Sequence, residues 1–145
     1  AVGRREICRI HRGLYCIADR YTHARVNPLE LAQRIHGPSY VSLESALSHH
    51  GWIPEAVRAI TSVTLGRARS FDTPLGRFTY TRVPQRSFLS GVRRLSTEGG
   101  GAFFLATPLK AVADVIDQAR RRLFCNRLHN LYNCSYNTIN YSAYA

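Results

Sequence analysis

The chain has 145 residues, enough for one domain with a hydrophobic core, and 45% of them are hydrophobic. Its 20 lysines and arginines outnumber nine acids and give a formal net charge of +11, which favours a polyanionic partner. Because no apolar run is long enough to span a bilayer and the first residues lack a secretory signal pattern, we expect a cytoplasmic protein without membrane contact.

Residues 6–18 predict a β-hairpin whose loop is centred on Arg12. Gly13 suits the left-handed residue of a three-residue hairpin loop. That register gives three cross-strand pairs, which are Ile10 with Leu14, Arg9 with Tyr15, and Cys8 with Cys16. The four cysteines of the chain lack Cys-x-x-Cys spacing, so we expect the facing pair to be small buried hydrophobes and not a disulfide or a metal pair.

The same hairpin is basic, and its cations are Arg4, Arg5, Arg9, His11 and Arg12. Such a hairpin is typical of the wing of a winged helix-turn-helix, which lays cationic side chains along the DNA backbone. An ordinary solvated hairpin is the alternative. A polar connector, residues 19–23, separates the hairpin from the main domain.

Two short helices are predicted next. Asn27 as N-cap and Pro28 in the first turn begin a helix that extends to about Ile35 and has one apolar face. Ser42 is the predicted N-cap of the second helix. Gly51 is placed to end that helix in a left-handed conformation.

A strand and a hairpin follow the helices. Residues 59–65 are rich in Ile, Thr and Val, as expected of a half-buried strand. Residues 70–83 hold two alternating runs around Thr73-Pro74-Leu75-Gly76. Pro74 presets the backbone angle at the second turn position and Gly76 tolerates the conformation that follows, which predicts a hairpin.

The C-terminal half contains one clear strand and one clear helix. Residues 87–95 give no assignment, residues 96–101 have the composition of a flexible loop, and residues 102–106 form a short apolar strand. Thr107-Pro108 starts a helix whose apolar stripe we expect to pack in the core. The stripe consists of Leu109, Val112, Val115, Ile116, Ala119 and Leu123, with Asp114 and Asp117 on the polar side.

The character of the sequence changes after Arg120. Residues 120–145 are rich in Asn and Tyr, contain no acid and show no convincing period. A frameshifted or appended tail is the preferred interpretation, and a basic nucleic-acid-binding tail is the alternative.

Three runs of the sequence carry a family resemblance. They are YVSLESALSHHGWIPEAV, TSVTLGRARSFDTPLGRFTYTRV and LATPLKAVADVI, and together they cover most of residues 13–116. In these runs the chain resembles the AbiEi-like type IV antitoxins, which are transcriptional regulators of bacterial abortive-infection systems.

The resemblance implies an N-terminal winged helix that represses its own operon. It also implies a C-terminal domain that counteracts a nucleotidyltransferase toxin encoded beside it, without forming a stable complex. In that family three helices precede the wing, whereas only three residues precede Arg4, so we expect this chain to retain mainly the antitoxin function. The sequence departs from the family at Leu109, where an acid commonly precedes Lys110, and in its tail.

The arginines of the central hairpin indicate a second basic surface. Lys110 is the only lysine, and the planar guanidinium of arginine suits phosphate and guanine. Arg67 and Arg69 share one strand face by the period of two, and Arg77 on the returning strand is expected to join them in a phosphate-contacting patch. A merely solvated face, and a GC-rich genome that encodes arginine in place of lysine, are the alternatives.

Patterns for catalysis are weak in this sequence. Ser45 and His49 lie one helical turn apart, but no third orienting group accompanies them. The carboxylates that a metal nuclease would use are limited to Glu44, Asp72 and Asp114, and no Asp/Glu-x-Lys follows a strand. We therefore expect no enzyme activity, no metal and no cofactor.

The sequence as a whole predicts an α+β fold. We expect the wing hairpin of a truncated winged helix-turn-helix in residues 1–18, a small mixed α/β antitoxin domain in residues 19–119, and an atypical tail in residues 120–145. The predicted nucleic-acid contacts are Arg4, Arg5, Arg9, Arg12, Arg67, Arg69 and Arg77. The predicted function is that of an antitoxin and DNA-binding autorepressor, and a non-specific arginine-rich nucleic-acid-binding module is the alternative.

Overall fold

The computed structural model describes residues 7–17, 26–54, 58–83, 86 and 88–140, with the backbone alone for residues 126–140. Within these ranges the chain forms two β-sheets and three helices. The elements in chain order are β1 (Ile7–His11), β2 (Leu14–Ile17), α1 (Pro28–Ile35), β3 (Ser39–Val41), α2 (Leu43–His49), β4 (Ala59–Thr64), β5 (Arg69–Thr73), β6 (Gly76–Arg82), β7 (Val92–Ser96), β8 (Ala102–Ala106) and α3 (Pro108–Asn140).

The described strands form one small sheet and one large sheet. β1 and β2 pair as an antiparallel hairpin, and the other six strands form a mixed sheet in the order β5-β6-β4-β3-β8-β7. In the large sheet β4 runs parallel to β6 and β3 runs parallel to β8, whereas the other neighbours are antiparallel. The predicted α+β fold class is confirmed.

The first hairpin has the predicted register for two of its three pairs, including Cys8 opposite Cys16. The third predicted pair is wrong, because a register shift places His11 and not Ile10 opposite Leu14. Ile10 is instead buried in the core, and both cysteines are half-buried against it. The shift therefore supplies the apolar contact that docks the hairpin.

α1 begins and ends where the sequence predicted. Oδ1 of Asn27 accepts a hydrogen bond from the backbone N–H of Leu29 at 2.9 Å, and Pro28 occupies the first turn. The buried residues of this helix are Leu31, Ala32 and Ile35.

α2 has the predicted position but a different cap. Ser42 occupies the N-cap position, but its hydroxyl makes no capping hydrogen bond. The backbone N–H of Ser45 in the first turn instead donates to Oγ1 of Thr61, in β4, at 3.0 Å. Gly51 follows the helix with a φ of 73°, so its predicted left-handed conformation is confirmed.

The strand and the hairpin predicted between residues 59 and 83 are confirmed as β4 and β5–β6. Pro74 and Leu75 form the connection. Oγ1 of Thr73 accepts a hydrogen bond from the N–H of Leu75 at 3.2 Å and donates to the carbonyl oxygen of Gly76 at 2.7 Å. These bonds fix the turn and with it the register of the two strands.

The segment without an assignment contains most of β7, which pairs with the predicted strand at residues 102–106, now β8. The glycine-rich connection between them, residues 97–101, is a closed hairpin loop. In it the N–H of Thr97 donates to the carbonyl oxygen of Gly101 at 2.9 Å. The alternation of apolar and polar residues expected of a strand is weak in β7, because arginines occupy two of its five positions.

α3 differs most from the prediction, because Val115 of its predicted apolar stripe packs against the core but Leu109, Ile116 and Leu123 do not. Leu109, Ile116 and Leu123 are 76%, 49% and 71% exposed, whereas Asp114 is 4% exposed. Hydrophobic periodicity assigns the apolar side of a helix to the core, but here hydrogen bonds to Asp114 select the opposite side. The helix continues to Asn140, so much of the tail without a convincing period is helical.

The core joins the large sheet to its helices and to the first hairpin. Its fully buried members include Tyr40 and Phe78. Ile10 of β1 belongs to the same cluster, so the hairpin packs with the main domain. The predicted connector, residues 19–23, lies outside the described residues.

Candidate nucleic-acid interface

The first hairpin lies against β5, which is an edge strand of the large sheet. The rings of His11 and Phe71 meet edge to face, with centroids 4.8 Å apart and planes at 84°. Phe71 also contacts His36 at 5.9 Å and Tyr80 at 5.7 Å, so its ring is held from several sides. The turn of the hairpin is thereby placed beside the beginning of β5.

This contact brings together arginines that are far apart in the sequence. Arg12 directly follows His11 at the hairpin turn and is exposed. Arg69 opens β5 and is exposed two residues before Phe71, about 7 Å along the strand and on the same face. The His11–Phe71 contact therefore joins the two segments that carry Arg12 and Arg69.

Two further exposed arginines lie in the same two chain segments. Arg9 is exposed in β1, and Arg67 is exposed in the connection before β5. Arg67 precedes the strand, so the strand period used to place it does not apply. We refer to Arg9, Arg12, Arg67 and Arg69 as the basic edge. None of these four takes part in the ion pairs found among the described residues. Arg4 and Arg5, also predicted as contacts, lie outside the described residues.

Arg77 does not join the basic edge, which corrects the expectation of one patch. Arg69 lies opposite Tyr80 and Arg77 lies opposite Asp72, so strand alternation puts the two arginines on opposite faces of the sheet. Nε of Arg77 is 2.7 Å from Oδ1 of Asp72, and Nη2 is 3.2 Å from Oδ2. These hydrogen bonds lower the pKa of Asp72 and raise the pKa of Arg77.

A polar cleft of about 520 Å³ adjoins the basic edge. Ser70, Thr79 and Thr61 are register neighbours across β5, β6 and β4, so three adjacent strands contribute a row of hydroxyls to its floor. By strand alternation this row lies on the sheet face opposite to Phe71. Arg69, Arg122 from α3 and one carboxylate, that of Glu44, also line it. Hydroxyls and guanidinium groups are common donors to phosphate oxygens. This cleft was not predicted from the sequence, although Thr79 and Thr81, two residues apart in β6 and both in its lining, were a partial signal.

A second polar cluster is buried between β3 and α3. Oδ2 of Asp114 accepts hydrogen bonds from the hydroxyl of Tyr40 at 2.9 Å and from Oγ of Ser42 at 2.7 Å. Nζ of Lys110 lies 3.0 Å from Oδ1 of Asp114. Burial, followed by the charge and hydrogen bond of Asp114, raises the pKa of Tyr40. We refer to these four residues as the Asp114 cluster.

The geometry of the Asp114 cluster indicates a structural role. Ser42 is fully buried, so its hydroxyl does not face solvent, and it is committed as a donor to the carboxylate. Both carboxylate oxygens of Asp114 have partners from within the chain. The cluster therefore ties the end of β3 to the first turns of α3. Ser42 and Asp114 each belong to a recognisable local pattern, but no local pattern indicates a contact between residues 72 positions apart.

The residues that had been considered for catalysis make structural contacts. Oγ of Ser45 accepts the N–H of Thr61 at 2.8 Å and donates to the carbonyl oxygen of Ala59 at 3.3 Å. The ring of His49 packs near that of Phe103, with centroids 6.3 Å apart. Within the described part of the chain, no three His, Cys, Asp or Glu residues are grouped to hold a metal ion.

A helix long and apolar enough to cross a membrane is not found among the described residues. No protein-family model matches the chain, and no curated protein sequence matches it.

Proposed function

We propose that this chain is a DNA-binding regulator that contacts the duplex backbone through its basic edge. The observation that carries the proposal is the His11–Phe71 contact, which joins the hairpin segment that bears Arg12 to the strand that bears Arg69; both arginines are exposed and have no carboxylate partner among the described ion pairs. By contrast, the exposed Arg34 and Arg77 are paired with acids, although Arg93 and Arg94 of β7 are, like the basic edge, exposed and outside these ion pairs. A cation without an intramolecular partner gains most from a phosphate.

The proposed contact positions the protein on DNA without reading bases. The basic edge lies on a hairpin turn and an edge strand, and the hydroxyl-lined cleft beside it supplies further donors to phosphate oxygens. Each phosphate neutralised releases counterions from the duplex. Binding by this surface is therefore expected to weaken steeply as salt rises.

The resemblance to AbiEi-like antitoxins supplies the biological part of the proposal. The regulator acts in the bacterial cytoplasm on the operon that encodes it, and it counteracts a neighbouring nucleotidyltransferase toxin without a stable complex and without catalysis. The sequence runs that carry the resemblance fold against one another. Tyr40 and Ser42 of the first run donate to Asp114 of the third, and Thr61 of the second run caps the helix of the first. Their association as one unit supports a single antitoxin domain.

A non-specific nucleic-acid-binding module is the second candidate. The observation in its favour is that the contacts available on the basic edge and in the cleft suit phosphate, which carries no sequence information. The two candidates differ in whether the upstream DNA of the operon is preferred over a scrambled duplex.

The proposal is tested by fluorescence anisotropy with the upstream DNA and a scrambled duplex, each at two salt concentrations. The variant Arg12→Ala/Arg69→Ala removes two basic-edge cations, and Arg34→Ala/Arg77→Ala is its control because both variants lower the net charge equally. We expect the first variant to bind both duplexes roughly tenfold or more weakly, with a log–log salt slope smaller by about 1.8. The control is expected to keep the slope of the parent chain.

The outcomes separate the candidates. A preference for upstream DNA that survives at both salt concentrations supports the operon regulator, and equal binding to both duplexes supports the non-specific module. If Arg12→Ala/Arg69→Ala and Arg34→Ala/Arg77→Ala lowered the log–log salt slope equally, the basic edge would not be the site of DNA contact. The antitoxin part is measured independently, as growth rescue when the chain is co-expressed with the adjacent nucleotidyltransferase.

A further inference from the structure

The outward side of α3 carries an apolar stripe that the domain does not use. Leu109, Ile116 and Leu123 recur every seven residues and are all exposed. Val112 and Ala119 fall between them and complete a spacing of three and four residues. We refer to these five residues as the α3 stripe. This spacing is that of the a and d positions of a coiled coil.

The α3 stripe points away from the domain. At about 100° of rotation per residue, Leu109, Ile116 and Leu123 lie within about 40° of one another, and their mean direction is roughly 160° from Asp114. Ala111 and Asp114, on the other side, are buried. The stripe therefore remains exposed when the domain is folded. Because large aligned apolar surfaces are unusual on monomeric proteins, such a stripe indicates a contact with another molecule.

The length of the stripe fits a short helical partner. From Leu109 to Leu123 the helix rises about 21 Å, which corresponds to two heptads. Beyond Leu123 the sequence carries asparagine at the continuing positions 126, 130 and 133. The apolar run thus ends at Leu123, and a partner helix of about 15 to 20 residues is long enough to cover it.

Charge selects the kind of helix that fits. With Leu109, Ile116 and Leu123 at a, Arg120 and Arg122 fall at e and g, which border the seam, and both are exposed. An acidic helix pairs with these cations. A second copy of the chain would bring the same arginines and a further net charge of +11 to the contact, and like charges oppose association.

We propose that the α3 stripe is a docking site for an amphipathic helix of another protein, with Leu or Ile on one face and Glu or Asp beside that face. The apolar residues supply the affinity and the arginines supply the choice of partner. The apolar residues of the α3 stripe are separate from the basic edge, whereas Arg122 also lines the polar cleft beside that edge, so Ile116→Ser/Leu123→Ser tests docking without changing the proposed DNA contacts.

The experiment uses the full chain and two labelled synthetic peptides of three heptads. Both peptides have Leu at a and d, and they differ in having Glu or Lys at every e and g position. Anisotropy is expected to show binding of the Glu peptide at least about tenfold more tightly than the Lys peptide, with an advantage that shrinks as salt rises. Light scattering after size exclusion is expected to give a monomer for the chain alone.

Variants on the two parts of the site sharpen the result. Ile116→Ser/Leu123→Ser is expected to weaken binding of the Glu peptide at least tenfold without changing the urea midpoint of the chain. Leu89→Ser is the control, because Leu89 is similarly exposed but lies outside α3. Arg120→Glu/Arg122→Glu is expected to reverse the preference in favour of the Lys peptide.

Three results would overturn the proposal. One is equal affinity for the two peptides, and another is binding that Ile116→Ser/Leu123→Ser leaves unchanged. The third is a dimer of the chain alone that becomes a monomer in Ile116→Ser/Leu123→Ser, because the occupant would then be a second copy. DNA binding by the stripe variant is measured in parallel and is expected to equal that of the parent chain.

Discussion

The two sides of α3 differ in an unusual way: the side that faces the domain buries a carboxylate, and the side that faces solvent carries leucines. On the inner side Asp114 is buried and receives hydrogen bonds from Tyr40 and Ser42, whereas on the outer side Leu109 and Leu123 face solvent. In an ordinary surface helix the apolar stripe covers the core and the charges face water. The helix is therefore attached to its domain by directed polar contacts together with the buried Ala111 and the half-buried Val115.

Polar and apolar contacts differ in how strictly they define the rotation of α3 about its own axis. A buried carboxylate is tolerated only where its hydrogen-bonding capacity is met, so the Asp114 cluster permits one rotation of α3 against β3. Apolar contacts are less directional and would accept several rotations. The polar side thus defines the orientation of the helix, and the apolar side is left for another molecule.

The largest effect is expected when the buried side is altered. Asp114→Asn leaves Lys110 in a largely buried position without its counter-charge, so we expect a loss of about 3–5 kcal/mol in the free energy of unfolding. Urea denaturation followed by circular dichroism measures it. Asp117→Asn is the control, since the Asp117–Arg121 pair on the same helix is 43% exposed at both residues and should contribute less than about 1 kcal/mol.

A companion variant keeps this prediction testable if Asp114→Asn does not fold. Lys110→Met/Asp114→Leu replaces the ion pair with apolar side chains, and it is expected to be more stable than Asp114→Asn because no charge is left alone. Similar losses for Asp114→Asn and Asp117→Asn would mean that the two sides of α3 do not differ as described.

Alanine substitutions at a buried and an exposed leucine test whether the outer side of α3 is free of contacts within the domain. Leu105→Ala in β8 opens a cavity in the core, where Leu105 is 2% exposed, and is expected to cost about 2–5 kcal/mol of stability. Leu123→Ala in α3 removes an exposed side chain at a position where alanine is an equally good helix former, so the change should stay within about 0.5 kcal/mol. A large loss at Leu123 would show that the outer side is covered within the monomer.

Alkaline pH should affect the inner side more than the outer side. The pKa of Tyr40 is raised above its ordinary value of 10.0, chiefly by burial and then by Asp114, and burial also raises the pKa of Tyr80. Above about pH 10 the two tyrosine hydroxyls ionise in the unfolded state but stay protonated in the folded state. Their contribution to the free energy of unfolding is therefore fully present below about pH 10 and decreases as the pH rises further. Each tyrosine contributes a slope of up to about 1.4 kcal/mol per pH unit.

The measurement is urea denaturation between pH 8 and pH 11. Tyr40→Phe is expected to lose about 1 kcal/mol at pH 8, because one hydrogen bond to Asp114 is lost, and to show a shallower decline above pH 10. A decline as steep as that of the parent chain would exclude Tyr40 as a source of the alkaline sensitivity. Tyr80→Phe provides an independent comparison away from the cluster.

Local signals made much of the fold predictable. Asn27 with Pro28, Gly51 and the turn at Pro74 marked boundaries that the structure confirms, because caps and turns depend on residues close together in the chain. β7 was missed because its arginines conceal the strand pattern. The third pair of the first hairpin was wrong because a bulge is set by packing of Ile10 in the core.

The candidate site was less predictable than the fold. The composition indicated arginine-rich contacts, but only the packing of His11 on Phe71 shows that the segments carrying Arg12 and Arg69 lie together. Arg77 was assigned to the same patch because the strand period was applied without the register across the turn. The side of α3 that is buried depends on Tyr40 and Ser42, which no window of sequence around the helix contains.

The reciprocal hydrogen bonds between Ser45 and Thr61 have a consequence for how the domain forms. The N–H of each residue donates to the hydroxyl oxygen of the other, at 3.0 and 2.8 Å, in the manner of a capping box divided between two distant elements. A helix of seven residues is too short to persist alone in water, and α2 receives part of its cap from β4. The helix and the strand are therefore expected to order in one cooperative step and to open together in local unfolding.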